Sequence, residues 1–210
     1  ALNFAESCKP KLFIYLSTIS VLGEVREQSV TENSVIHNPN FYGTTKFLGE
    51  KLVQTFSEKV TTIAIRLPGI VGPNLPAGRP WLHTIAKKLQ LGEDVEYYNP
   101  KSLFNNICDL WTIRDFIVHL NTRTNLQRCS TVNLAASEPI QLHRVIDLMR
   151  ERLNSSSKIT KQKTNKTSFT IETGIVEKEY GYLPATTTEM ATRFVDDSFF
   201  HINNRQKDDP

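Results

Sequence analysis

The chain has 210 residues, a net charge of +3 and 39% hydrophobic residues, enough apolar material for a sizeable core in a single domain or in two smaller units. Its charges are nearly balanced, and the one basic run, Lys158 to Lys166, has no interleaved aromatics, so it reads as a solvated loop rather than a nucleic-acid site. No apolar stretch is long enough to span a bilayer and no signal-peptide pattern appears, which makes a cytoplasmic protein the default expectation; the scattered Cys8, Cys108 and Cys129 and the five histidines offer no zinc or disulfide spacing.

Ala1 to Cys8 reads as the end of a helix. Lys11 to Thr18 is a short apolar run, partly β-branched and aromatic, and predicts a buried strand ending in the hydroxyl residues Ser17 and Thr18. Phe41 to Phe56 places Phe41, Leu48, Leu52 and Phe56 at helical spacing, with Asn38 or Asn40 as the cap. Thr61 to Leu67 predicts a second strand, stopped by Pro68 and Gly69. Strand, loop, helix and strand make a parallel crossover, right-handed by strong preference. Pro80 to Gly92 follows as a helix with Pro at its start and Gly past its end. Asp94 to Tyr98 is a short strand; Leu110 to Leu120 and Gln141 to Leu153 are amphipathic helices. Ser155 to Ser157 and the lysine run form a linker. Phe169 to Glu172 is a short strand, Thr188 to Val195 a final helix, and residues 203–210 a frayed tail.

Within the first helix, Tyr42 and Lys46 stand four residues apart and project from one face. An ammonium beside a phenol favours the phenolate, and such a phenol exchanges protons with a substrate hydroxyl near neutral pH. The spacing alone is weak evidence. With six tyrosines, chance supplies about 0.4 such pairs, and the chain has a second, Tyr97 and Lys101, where Pro100 argues against a helix. The context around Tyr42 is what raises it: Thr18 and Ser17 end a strand, where open α/β sheets place their ligands.

Leu16 to Gly23, then Tyr42 to Lys46 with Gly49 and Glu50 behind, then Ile65 to Pro73 resemble three consecutive signatures of the extended short-chain dehydrogenase/reductases, the NAD-dependent epimerase/dehydratase group. Phe104 to Phe116, Thr131 to Ile140 and Tyr180 to Pro184 resemble later segments, so the likeness runs from about residue 5 to residue 197. The resemblance implies an α/β fold: a partial Rossmann-like, doubly wound parallel sheet with a smaller α/β substrate-binding region. Residues 1–73 would be the C-terminal half of the NAD(P)-binding domain. Residues 74–202 would be mainly substrate-binding, with 104–140 returning to the Rossmann sheet. It also implies roles. Tyr42 is the general acid/base and Lys46 its partner, which also bonds the nicotinamide ribose. Thr18 bonds the reacting hydroxyl. Ser17, Pro68, Gly69, Ile70 and Val71 lie on the cofactor side, and the cofactor is NAD or NADP. The implied substrate class is nucleotide sugars, held between the two regions, with Asn74, Arg79 and Asn105 as polar contacts; the planar fork of Arg79 suits a diphosphate. A homodimer through the helix carrying Tyr42 is expected, with no nucleic-acid or membrane partner and no metal.

Departures from the pattern matter as much. The family opens with a glycine-rich loop whose amides and helix N-terminus hold the cofactor pyrophosphate, and none of the nine glycines here forms that fingerprint. The expectation is that about the first 100 residues of a family member are absent. Dehydratase members carry an acidic pair after the Ser/Thr position; Ile19 and Ser20 stand there, which leaves epimerase or ketoreductase chemistry. Asp109, Trp111 and Thr112 replace residues of a family V-H-V-D-D segment, so its packing is an open point. Two readings follow. One is an NAD(P)-dependent nucleotide-sugar epimerase or ketoreductase-type oxidoreductase; the other is a non-catalytic remnant that at most dimerises.

Overall fold

A computed structural model of the chain describes residues 7–8, 10–75, 80–164 and 167–200. Strand β1 (Leu12–Thr18) runs into a 3-10 turn at Ile19–Leu22 and a short strand β2 (Ser29–Val30), which no sequence signal marked. Helix α1 (Phe41–Gln54) leads to β3 (Thr61–Leu67). β1 and β3 pair in parallel from Leu12 opposite Thr61 to Thr18 opposite Leu67. β4 (Gly69–Val71), α2 (Trp81–Leu91), β5 (Val95–Tyr98), β6 (Leu103–Phe104), β7 (Ile107–Asp109) and α3 (Leu110–Thr122) follow. Next come β8 (Cys129–Asn133), β9 (Ile140–Gln141), α4 (Leu142–Arg152), β10 (Ile159–Gln162), β11 (Thr170–Ile171), α5 (Gly174–Tyr180) and α6 (Thr187–Val195).

The chain divides into two units. The first comprises Ala1–Pro68, Ile113–Ala135 and Ile171–Pro184; the second comprises Gly69–Thr112, Ala136–Thr170 and Ala185–Pro210.

The first unit is a partial Rossmann-like sheet in the order β1-β3-β8, all parallel. β3 is central and buried on both faces, which explains why Ile63, Ala64, Ile65 and Leu67 form a near-continuous apolar run. Each isoleucine there contributes about 1.5–3 kcal/mol of burial. Asn40 caps α1, its side-chain oxygen accepting from Gly43 N at 2.9 Å.

The apolar spacing marked the wrong face of α1. Phe41, Leu48 and Leu52 are exposed, Phe41 by 86%, and Phe56 falls past the helix end. The face turned inward carries Gly43, Glu50 and Val53. Small residues are the reason. A Cβ on Gly43 would stand 2.2 Å from Ser20 O, and one on Gly49 2.1 Å from the Tyr15 hydroxyl oxygen. The helix lies too close to β1 and its turn for large side chains, and backbone proximity replaces apolar filling.

In the second unit, one face each of α2, α4 and α6 encloses a core of Leu82, Ile85, Leu89, Val145, Ile146, Met149, Met190 and Phe194. α2 begins after Pro80 and ends at Gly92 in the left-handed conformation (φ 72°). Among the described residues, three two-stranded pairs line this unit: β4 with β7 and β5 with β10 in parallel, and β6 with β9 antiparallel. β3 stops before Pro68 as expected, and Gly69–Val71 then forms a further strand paired to Ile107–Asp109. One sequence expectation changes here. The serine and lysine stretch read as a linker contains β10, whose Ile159 pairs with Val95. Ser157 is buried and Ser155 Oγ donates to Leu89 O at 2.5 Å. The lysines there hid a strand because a strand at the edge of a pair exposes much of its length to water.

The Asp109 segment packs well without the family's residues. Asp109 Oδ1 accepts from Thr112 N at 2.7 Å and so caps α3, while Oδ2 lies 2.9 Å from Arg193 on α6. Cys129–Asn133, within the stretch read as returning to the sheet, lies beside β3, whereas Ile107–Asp109 pairs with β4.

Candidate active site

The candidate site of the first unit stands where β1 ends and α1 begins. Tyr42 is half-exposed on the first turn of α1. Lys46, one turn on, lies with Nζ 5.9 Å from the centre of the Tyr42 ring and 5.3 Å from that of Tyr15. Nζ donates a hydrogen bond of 2.9 Å to Leu16 O on β1. The ammonium is thus held between two phenol rings by a backbone carbonyl, a place that the helical spacing and the strand end together create. Burial pushes the Tyr15 phenol up, with the Glu50 charge and Tyr42 acting the same way.

Thr18 closes β1. Its hydroxyl accepts from Ser20 N at 3.2 Å and so caps the 3-10 turn; Ser20 Oγ is 3.3 Å away. Thr18 retains 8% exposure. Ser17, expected on the cofactor side, points inward: its hydroxyl donates to Glu50 Oε1 at 2.5 Å.

Sequence reasoning missed what lies beneath. Glu50 is 1% exposed and forms a two-pronged ion pair with Arg66 of β3, Nε to Oε1 and Nη2 to Oε2, each 2.9 Å. Arg66 Nη1 donates to Glu32 O at 3.1 Å, in the loop that precedes α1. The Glu32 carboxylate accepts from Asn133 N of β8 at 2.7 Å. Burial pushes the Glu32 carboxyl up, partly offset by the Asn133 amide. The signal was available: Tyr42, Lys46 and Glu50 follow one another at four-residue steps on one side of α1.

The remaining expected residues belong elsewhere. Pro68 is half-buried and closes the first of the three segments that make up the first unit. Gly69, Ile70 and Val71 form β4 in the second unit, with Val71 fully buried. Asn74 is exposed in a turn at φ 59°. Asn105, expected to touch a ligand, is 1% exposed; its amide donates to Ala136 O at 2.9 Å. It holds backbone rather than offering a surface. Arg79 lies outside the described residues. Tyr97 and Lys101 do not share a helix: Tyr97 is on β5 and Lys101 in the turn beyond it. Among the described residues no cluster of His, Cys, Asp or Glu is placed to hold a metal, and no helix is long and apolar enough to cross a membrane.

A parallel strand-helix-strand crossover with its polar residues at the strand ends defines a Rossmann-like α/β protein. Residues 1–119 match the model of the NAD dependent epimerase/dehydratase family, and the chain belongs to that family. Solved structures agree on the fold. UDP-glucuronic acid 4-epimerase from Bacillus cereus, in complex with NAD, matches with a TM-score of 0.76 at 17% identity, over 99% of this chain and 65% of its own. UDP-glucose 4-epimerase from Thermotoga maritima, with UDP-glucose, matches with a TM-score of 0.76 at 15% identity, over 97% and 67%. RMD from Pseudomonas aeruginosa, complexed with NADPH, matches with a TM-score of 0.74 at 14% identity, over 92% and 68%. The chain spans 61% to 68% of the length of such structures. No curated protein matches its sequence.

Proposed function

We infer that these residues serve an NAD(P)-dependent nucleotide-sugar epimerase or ketoreductase-type oxidoreductase. The observation that carries the reading is the placement of Lys46 Nζ, bonded to Leu16 O and set against the Tyr42 ring beside the end of β1. Tyr42 moves the proton of the reacting hydroxyl, Lys46 supplies the neighbouring positive charge, and Thr18 orients that hydroxyl. The nicotinamide, when bound, accepts and returns the hydride. Tyr42 and Lys46 fit its ribose end: one is half-exposed, and the other is a donor beside it. Ser17 steadies this end from below, through Glu50. Pro68, Gly69 and Ile70 are proposed for the nicotinamide side, with Val71 packed in the core behind them, and Asn74 and Arg79 for the nucleotide sugar. The relatives bound to NAD, NADPH and UDP-glucose support these classes. Ile19 and Ser20 after Thr18 favour epimerase or reductase over elimination.

The pyrophosphate end is different, since this sequence has no glycine-rich phosphate loop. The 210 residues by themselves are therefore expected to show no measurable NAD(H) binding by calorimetry, and turnover is expected only in protein that carries such a loop. Tight binding by the 210 residues would sink this element of the reading. The test of activity is conversion of UDP-sugars with NAD or NADP, in protein that carries a phosphate loop. Epimer exchange or cofactor reduction supports the reading, and neither one across a panel of nucleotide sugars contradicts it.

One observation favours the second reading as well. Phe41, Leu48 and Leu52, seven and then four residues apart, expose apolar side chains on one side of α1. This side is proposed as a homodimer face, which a catalytically silent chain would keep.

A further inference from the structure

We propose that Glu50 is a positioning residue: through Ser17 and Arg66 it fixes the end of β1 against α1 and so sets Lys46 and Tyr42 relative to Thr18. The proposal rests on the reading of Tyr42 and Lys46 as the reacting pair. Its geometry lies wholly within the first unit. Glu50 stands four residues beyond Lys46 and eight beyond Tyr42, so the three share one side of α1. One carboxylate oxygen takes both the Ser17 hydroxyl and Arg66 Nε; the other takes Arg66 Nη2. Ser17 sits between Leu16, whose carbonyl holds Lys46, and Thr18. Arg66 also grips Glu32 O, in the loop that delivers the chain to Tyr42. One buried ion pair thus ties β1, β3, α1 and that loop together.

A pair kept only for stability has a simpler substitute. Replacing a buried ion pair by apolar residues of similar volume is often neutral or stabilising, while removing one partner strands the other charge. Aligning reacting groups asks more, because small misplacements cost rate. This contrast separates the two roles. Glu50→Met combined with Arg66→Met removes both charges, and Ser17→Ala cuts the link to β1 alone.

The experiment is acylation of the 210-residue chain by acetic anhydride, with rates read at Lys46 and at exposed Lys87 by peptide mass spectrometry, alongside folding by circular dichroism. In the wild type, Lys46 is protected by its bond to Leu16 O. In the folded double variant its rate relative to Lys87 rises about threefold or more, and in Ser17→Ala by a smaller factor. Lys46 protection unchanged in both folded variants overturns the proposal. If the double variant does not fold, Ser17→Ala decides alone. In the turnover assay described above, the double variant loses about tenfold or more in kcat with KM little changed; full kcat in a folded double variant also overturns it. Absence of turnover in the wild type contradicts the enzymatic reading instead, and leaves the acylation result to judge Glu50.

Discussion

Two tyrosine-lysine pairs with identical spacing lie in this chain, and the structure treats them oppositely. Tyr42 and Lys46 occupy successive turns of α1, and the ammonium comes to 5.9 Å from the ring centre. Tyr97 lies on β5, and Lys101 follows after Asn99 (φ 54°) and Pro100 in a turn. The first tyrosine is half-exposed beside a strand end; the second is 2% exposed, with its hydroxyl buried and without a hydrogen-bond partner among the described residues. Burial, with Asp147 adding to it, pushes the Tyr97 phenol up to about 12. A four-residue spacing carries chemistry only where a helix converts it into a shared face.

The contrast is sharpest in turnover. Tyr42→Phe removes the proposed proton-transferring group and is expected to lower kcat about 10²–10⁴-fold, while Tyr97→Phe is expected to leave it within a factor of about two, because that side chain serves packing. In protein that carries a phosphate loop, cofactor affinity measured in parallel by fluorescence titration is expected to stay close to wild type in both.

Stability gives the next largest difference. Glu50→Ala, beneath the first pair, leaves Arg66 buried and unpaired and costs about 3–5 kcal/mol in urea denaturation. Tyr97→Phe, in the second pair, removes a buried hydroxyl that bonds nothing and is expected to stabilise by about 1 kcal/mol. Equal losses in both variants would mean that the Glu50–Arg66 pair is no more demanding than ordinary core.

The surface around the first pair gives a further handle. Phe41→Glu with Leu48→Glu places charge on the exposed strip of α1, and the proposed homodimer face predicts a dimer in sedimentation for the unmodified chain and a monomer for this variant. A dimer in both chains would move the interface elsewhere.

The smallest effect concerns pH. Burial raises the Glu32 carboxyl above its ordinary value of 4.5, so the folded state holds that proton to higher pH than the unfolded one. Stability therefore falls as pH rises from the ordinary value through the raised one. Glu32→Gln removes this contribution: its melting temperature matches wild type at low pH and exceeds it by about 1–2 °C near neutrality. A gap that is constant with pH contradicts the assignment.

Much of the architecture was legible in the sequence because its signals were local. β1, β3, α2 and α6 appear within a residue or two of their expected bounds, since a continuous apolar run, a proline start and a glycine stop each act over a few residues. What stayed hidden depends on partners distant in the chain. β2 and β10 are short, and pairing across the fold defines them more than composition does; β11, by contrast, falls inside the strand expected at Phe169 to Glu172. The inward face of α1 was misread because Gly43 and Gly49 give closeness rather than apolar area. In the candidate site, Tyr42, Lys46 and Thr18 were visible as a pattern. Ser17 was visible too, but its hydroxyl turns to Glu50, a contact that only the fold brings together. Asn105 was named for its polarity in a loop and proved to be buried beneath one.

The central claim is that Tyr42, and not its twin, moves the proton. The most direct measurement is single-turnover reaction of NAD- or NADP-loaded protein, in a form that carries a phosphate loop, with a nucleotide sugar, compared across wild type, Tyr42→Phe and Tyr97→Phe. The account predicts hydride transfer in wild type and Tyr97→Phe and a near-complete loss in Tyr42→Phe; hydride transfer at the wild-type rate in Tyr42→Phe would contradict it.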